Sequence, residues 1–270
     1  MKNTLQIVIA AAIFLFSHAC TDSGNASRKQ MQPAENTSQT EKRIPEDFIA
    51  LQKAYPDFIA DFDSGQIIWT DGSRMLRDDG LEKNFDSLLN HADIQDQFAF
   101  SYPADFEIPP KKGEDPGRIR NDEFFKKMYG SDASEVEANL TKVKWPPFSE
   151  NNTLKFSEIN GAADSLRAVA AEIENRPHLH KYINQPAGTF YWRFISGTQR
   201  LSMHSFAVAL DINIDYFNYW KWDIQQGKEL NYKNRVPEEL VKIFEKHGFI
   251  WGGKWHHYDT GHFEFRPEFF

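Results

Sequence analysis

The chain has 270 residues, enough for one sizeable domain or a domain with an extension, and its 40% hydrophobic and 26% charged composition is that of a globular protein. A net charge of -8 argues against nucleic-acid binding, which relies on a basic face. A single cysteine, Cys20, excludes an intramolecular disulfide.

The first element in chain order is "MKNTLQIVIAAAIFLFSHAC", with Lys2, an apolar run from Leu5 to Phe16, and small residues before Cys20. The run is too short to span a bilayer and suits the core of an export signal over residues 1–19. A lone cysteine directly after such a signal resembles the acceptor of bacterial lipoproteins. Ala19 fits that pattern, whereas Ser17 stands where an aliphatic residue is usual. The expectation is an exported cell-envelope protein, anchored by a lipid on Cys20 and facing the periplasm or the cell exterior, with plain cleavage near Ala19 as the alternative. Residues 20–45 then comprise the lipidated cysteine and a polar, flexible tether, and the folded part starts near Pro45.

Residues 46–150 read as an N-terminal extension. "FDSGQIIWTDGS" has hairpin character, with glycine turns flanking Ile67, Ile68 and Trp69. "NDEFFKKMYG" (121–130) reads as a short helix closed by Gly130. Residues 103–117 carry four prolines and are expected to be a loop ordered by its contacts. From 151 onwards the pattern is firmer. Residues 161–176 place Ala163, Leu166, Val169, Ala170 and Ile173 at helical spacing. Residues 237–248 start a helix at Pro237 and end it at Gly248. "GTFYWRFI", "AVALDINI", "GFIWGG" and "GHFEFRP" are strand candidates. Helices with antiparallel strands predict an α+β domain over 151–270.

The stretch "LSMHSFAVALDINI" (201–214) sets His204 and Asp211 among residues that read as a buried strand. Buried ionisable groups need partners or a metal. Seven of the nine histidines fall between residues 178 and 262. A catalytic zinc takes three protein ligands and keeps one position open, and His204, Asp211 and His262 offer two imidazoles and a carboxylate. A hydrolytic centre would also need a base, and Asp259 lies three residues before His262. On a flat strand those positions face opposite ways, so Thr260-Gly261 must supply a bend. His256 and His257 are expected to be partly solvated, and His178 and His180 to be a surface pair. Trp255 walls a cleft or packs in the core, and Glu264 orients His262 or forms a plain ion pair. Arg118 and Arg120 in "DPGRIRND" could contact an acidic substrate, but loop arginines mostly pair with local acids, and that is the expectation.

"SMHSFAVALD" is similar to the Ser-x-His-x-x-Gly-x-Ala-x-Asp motif of zinc D-Ala-D-Ala carboxypeptidases. "WGGKWHHYDTGHFEF" resembles the Trp-Gly-Gly-x-Trp … Asp-x-x-His-Phe-Glu ending of the related L-alanyl-D-glutamate endopeptidases. The resemblance covers residues 186 to 266 and departs from the motif at Ala207, where the family has glycine; a methyl group fits there if the backbone angles are ordinary. It implies a small antiparallel sheet flanked by helices, as in the hedgehog and D-Ala-D-Ala-peptidase fold. It further implies Zn²⁺ on His204, Asp211 and His262, and Asp259 as catalytic base. An arginine ahead of the first motif binds substrate or stabilises the transition state in such enzymes; Arg193 is the candidate and Arg200 the second. The implied partners are peptidoglycan stem peptides, cut by a monomer at either the D-Ala-D-Ala or the L-Ala-D-Glu bond. The alternative is an inactive zinc-containing module that binds cell wall or a partner.

Overall fold

The first described helix, α1 (Glu46–Ala54), carries acids in its first turn and Lys53 in its last, matching the helix dipole, and buries Phe48 and Leu51 on one face. The computed structural model describes residues 44–270 except 226, 228 and 229, so the expected export signal, Cys20 and nearly all of the tether lie outside the described residues. Strands β1 (Ile59–Asp63), β2 (Gln66–Trp69) and β3 (Arg74–Leu76) form an antiparallel meander. Ser64 and Gly65 both take positive φ between the paired Asp63 and Gln66, the two-residue turn whose twist suits a hairpin.

Helix α2 (Phe85–Asn90) is followed by α3 (Asp122–Tyr129), which Asn121 caps by accepting the Phe124 N–H at 3.0 Å. Helix α4 (Ala133–Glu137) leads into a two-stranded ribbon of β4 (Leu140–Lys144) and β5 (Thr153–Ser157). Helix α5 (Ala162–Glu174) buries Ala163, Leu166, Val169, Ala170 and Ile173, the set its periodicity predicts. After the short α6 (His180–Ile183) come β6 (Ala209–Asp211), α7 (Trp220–Gln225), α8 (Glu238–Lys246), β7 (Phe249–Trp251) and β8 (His262–Phe265). The last sheet is antiparallel, in the order β6-β8-β7. The fold is thus α+β with small antiparallel sheets, as expected. Among the described residues no helix is long and apolar enough to cross a membrane.

Residues 43–270 form one compact unit, so position 150 does not divide two bodies. Trp69 of the meander meets Phe124, Phe124 meets Phe125, and Phe125 meets Phe206, with ring centroids 5.4, 5.4 and 5.8 Å apart. Tyr55 donates to Glu268 at 2.6 Å, joining the start of the described chain to its end. The 103–117 segment is an ordered loop held by contacts: Lys254 donates to the Pro103 carbonyl at 2.7 Å, and Phe106 stacks on Trp251.

Two strand expectations need correction. Residues 188–195 make only isolated bridges, Gly188 to Asp211 and Phe194 to Leu201. The Tyr191 and Arg193 N–H groups instead go to the His204 carbonyl and the Ser205 hydroxyl. The run 201–208 is no strand either, because residues Met203–Phe206 form a 3-10 turn and Ala207 takes φ 56°, ψ 36°. That left-handed residue, where the resembled motif has glycine, turns the chain from the His204 turn into β6. Its backbone angles are not the ordinary ones under which a methyl group is unstrained, and an alanine in this region is held at a cost of about 1–2 kcal/mol.

Because the two halves share one core, a chain starting at residue 151 is expected to lack a cooperative unfolding transition, whereas the full chain shows one. Leu51→Ala should destabilise the whole unit by about 2–5 kcal/mol. Urea denaturation followed by circular dichroism measures both; an independently folding 151–270 fragment would contradict the shared core.

Candidate metal centre

The pairing of β6 with β8 sets Asp211 directly opposite His262 and Ala209 opposite Glu264. Successive strand residues alternate faces, so His262 and Glu264 share one face while Phe263 and Phe265 pack on the other. His204 enters from the 3-10 turn ahead of β6. Ligand-type atoms of His204, Asp211 and His262 all lie within 4.8 Å of one another.

The hydrogen bonds decide what these atoms can do. His204 Nδ1 lies 2.8 Å from the Thr189 carbonyl, which only accepts, so Nδ1 carries the proton and Nε2 keeps a lone pair. That Nε2 is buried, has no hydrogen-bond partner, and sits 3.2 Å from Asp211 Oδ2. A lone pair facing a carboxylate oxygen is unfavourable unless a cation or proton lies between them. His262 bonds Asp211 Oδ1 through Nδ1 and Glu264 Oε2 through Nε2, each at 2.9 Å. Burial alone would lower the His262 pKa, but these two carboxylates carry it up to about 10. Burial opposes ionisation of Asp211, yet the two imidazoles hold its carboxyl well below the usual range. An orphaned imidazole nitrogen, an ionised carboxylate and a second imidazole on a second carboxylate fit a divalent cation with mixed nitrogen and oxygen ligands.

Asp259 stands beside them. Its N–H donates to Gly252 at 3.0 Å, and its carbonyl accepts from the His262 N–H at 3.2 Å, closing a turn over Thr260-Gly261. The bend expected there exists, but Gly261 has no positive φ. Glycine is needed because a Cβ would lie 2.5 Å from the Phe217 ring. Asp259 Oδ1 is buried and unpartnered. Burial, and then the charge of Asp211, push the Asp259 carboxyl up to about 6.

The cleft over these residues measures about 110 Å³. Arg193 lines it from an exposed position. Trp255 lines it as a buried wall, 5.6 Å from the His262 ring, with its indole N–H on the Pro116 carbonyl. Arg200 does not line this cleft; it is buried beneath, donating to the Arg118 carbonyl at 2.7 Å, and faces an adjoining pocket. His178 bonds Glu239 and His180 bonds the Ile173 carbonyl, so they do not converge. Arg118, Tyr219, Trp220 and His257 also line the cleft and were not placed there by sequence. His257 is half-buried, as expected, and also bonds Asp115 through Nδ1 at 2.9 Å. Arg118 does pair with a local acid, Asp115, at 2.6 Å. That pairing is what sequence suggests; its place in the cleft depends on distant contacts.

An imidazole–carboxylate–imidazole set beside an antiparallel sheet, with an acid alongside whose Oδ1 is unpartnered, makes this cluster a candidate metal centre. Residues 196–265, which contain all four of these side chains, match the family model described as D-alanyl-D-alanine carboxypeptidase. Comparison with curated proteins and with solved structures gave no match.

The metal-free His262 is protonated at neutral pH, and a metal must displace the Nδ1 proton. Zinc titration calorimetry near pH ~7.5, in buffers of different ionisation enthalpy, should show release of about one proton per zinc, with affinity falling as pH falls. No proton release would mean that His262 is already neutral.

Proposed function

We propose that the chain is a zinc-dependent peptidase that hydrolyses peptidoglycan stem peptides, at the D-Ala-D-Ala or the L-Ala-D-Glu bond. The observation that carries this reading is the buried, partnerless Nε2 of His204 aligned with Asp211 and His262. Together with the family match over 196–265, it supports His204, Asp211 and His262 as the residues that hold zinc. Bound zinc supplies Lewis acidity, polarising a scissile carbonyl and lowering the pKa of water toward ~7.

The chain's own residues supply the rest. Asp259, whose Oδ1 is unpartnered, takes a proton from the attacking water and passes it to the leaving amine. A carboxyl raised toward neutrality is better matched to that exchange than an ordinary aspartate. Glu264 holds the His262 ring by its Nε2, leaving Nδ1 for the metal. Arg193, at the cleft mouth, faces the negative charge that develops on the carbonyl oxygen. In this reading the protein is exported, anchored at the cell envelope through a lipid on Cys20, and works as a monomer.

Metal analysis and digestion of purified peptidoglycan, with products read by mass spectrometry, test the reading. Wild type and Asp259→Asn should each carry about one zinc per chain, while His204→Ala loses it. Asp259→Asn should lower turnover by about 10²–10⁴-fold, and the product masses name the bond. Zinc bound without cleavage by the wild type would sink the enzymatic reading.

A further inference from the structure

The segment "EDPGR" (114–118) reaches the metal cleft from the N-terminal part of the chain, and its backbone is fixed at every carbonyl from 116 to 118. Pro116 accepts from Trp255 Nε1 at 2.7 Å, and Gly117 accepts from Arg266 Nη1 at 2.6 Å. Arg118 accepts from Arg200 Nη2 at 2.7 Å and from Arg120 Nη1 at 3.2 Å. Gly117 takes φ +82°, and a Cβ there would lie 2.2 Å from Ile250 Cδ1, so no other residue fits without displacement. The buried Asp115 carboxylate accepts from the His257 N–H at 3.0 Å and pairs with the His257 ring and with Arg118. Three buried or half-buried arginines therefore support this loop, an outlay of charge burial that an ordinary connection does not require.

The loop presents the Arg118 side chain to the cleft, 17% exposed. Its guanidinium lies 5.9 Å from both the Trp220 and the Trp255 ring. Nη1 bonds Asp115, and the other guanidinium N–H groups have no hydrogen bond to the described residues. A planar cation held on two aromatic walls, with donors to spare, suits bidentate recognition of a carboxylate. Arg193, by contrast, is exposed at the mouth.

We propose that Arg118 is a substrate-binding residue that grips a free carboxylate on the amino acid at the leaving side of the scissile bond, making the N-terminal segment part of the substrate site. This rests on the peptidase reading above and deepens it by naming the substrate class: peptides with a carboxylate beside the bond cut.

The test uses two peptide pairs, each differing only in carboxylate against carboxamide at that residue: acetyl-D-Ala-D-Ala and its C-terminal amide, and acetyl-L-Ala joined through its carbonyl to the α-amine of D-Glu or of D-isoglutamine. The zinc-loaded wild type should prefer the acid of the pair it recognises by about 10- to 100-fold in calorimetric affinity and in kcat/KM, chiefly through KM. Arg118→Gln should erase the preference, and Arg118→Lys, which can keep the Asp115 pair, should retain part of it with zinc content unchanged. A wild type that treats acid and amide alike overturns the proposal. So does a preference that survives Arg118→Gln, or a loss in kcat that is equal for acid and amide. Zinc loss in both variants overturns it as well, since Arg118 would then be structural. If the wild type cleaves none of the four peptides, the peptidase reading fails, and the binding preference alone still decides the role of Arg118.

Discussion

Asp211 and His262 face each other across one antiparallel pair of strands, and that register governs the rest of the molecule. A slip of one residue would send every side chain of β8 to the opposite face. His262 and Glu264 would then enter the aromatic core, and Phe263, now stacked on Phe244 with centroids 4.0 Å apart, would enter the cleft. Burying an imidazole and two carboxylates is costly unless each is paired. The pairing here is specific: Asp211 and Glu264 bond the two nitrogens of His262, the Thr189 carbonyl takes His204 Nδ1, and the one nitrogen of these two rings left without a hydrogen bond is His204 Nε2, beside Asp211.

The chain of partners continues away from this cluster. Glu264 Oε1 bonds Arg266 at 3.1 Å, Arg266 bonds Glu268 at 2.5 Å, and Glu268 accepts from Tyr55 just after α1. Arg266 also holds the Gly117 carbonyl. One buried path of ion pairs and hydrogen bonds therefore runs from the candidate metal ligands to the first helix and to the loop that carries Arg118. In such a path the loss of one member leaves a buried charge unpaired, a penalty of about 3–5 kcal/mol. This explains why residues 46–150 belong to the same unit as the matched segment 196–265. They complete the core and contribute a wall of the cleft.

The grouping of His204, Asp211 and His262 was legible in the sequence because few residue types can bind a metal, and their order and spacing survive without a structure. Helices α3, α5 and α8 were legible for a similar reason, since cap residues and 3.6-residue spacing are local signals. What failed to read was tertiary. An apolar run around His204 looks like a strand, and only the left-handed Ala207 shows that the chain turns there. Gly261 suggests an unusual backbone angle, whereas the cause is the Phe217 ring from another segment. Arg118 pairs with Asp115 as a loop arginine should, and nothing within "DPGR" reveals that Trp255, Arg266 and Arg200 fix the loop against the cleft. Arg200 reads as a candidate for substrate by its nearness to the motif, yet its guanidinium lies beneath that loop.

X-ray absorption at the zinc edge of the purified full-length protein tests the central claim most directly. A centre built on His204, Asp211 and His262 predicts a shell of nitrogen and oxygen ligands at about 2.0–2.1 Å with two imidazoles, falling to one in His262→Ala. A sulfur ligand at about 2.3 Å, for which Cys20 is the one cysteine source, or an imidazole count unchanged by that substitution, would contradict it.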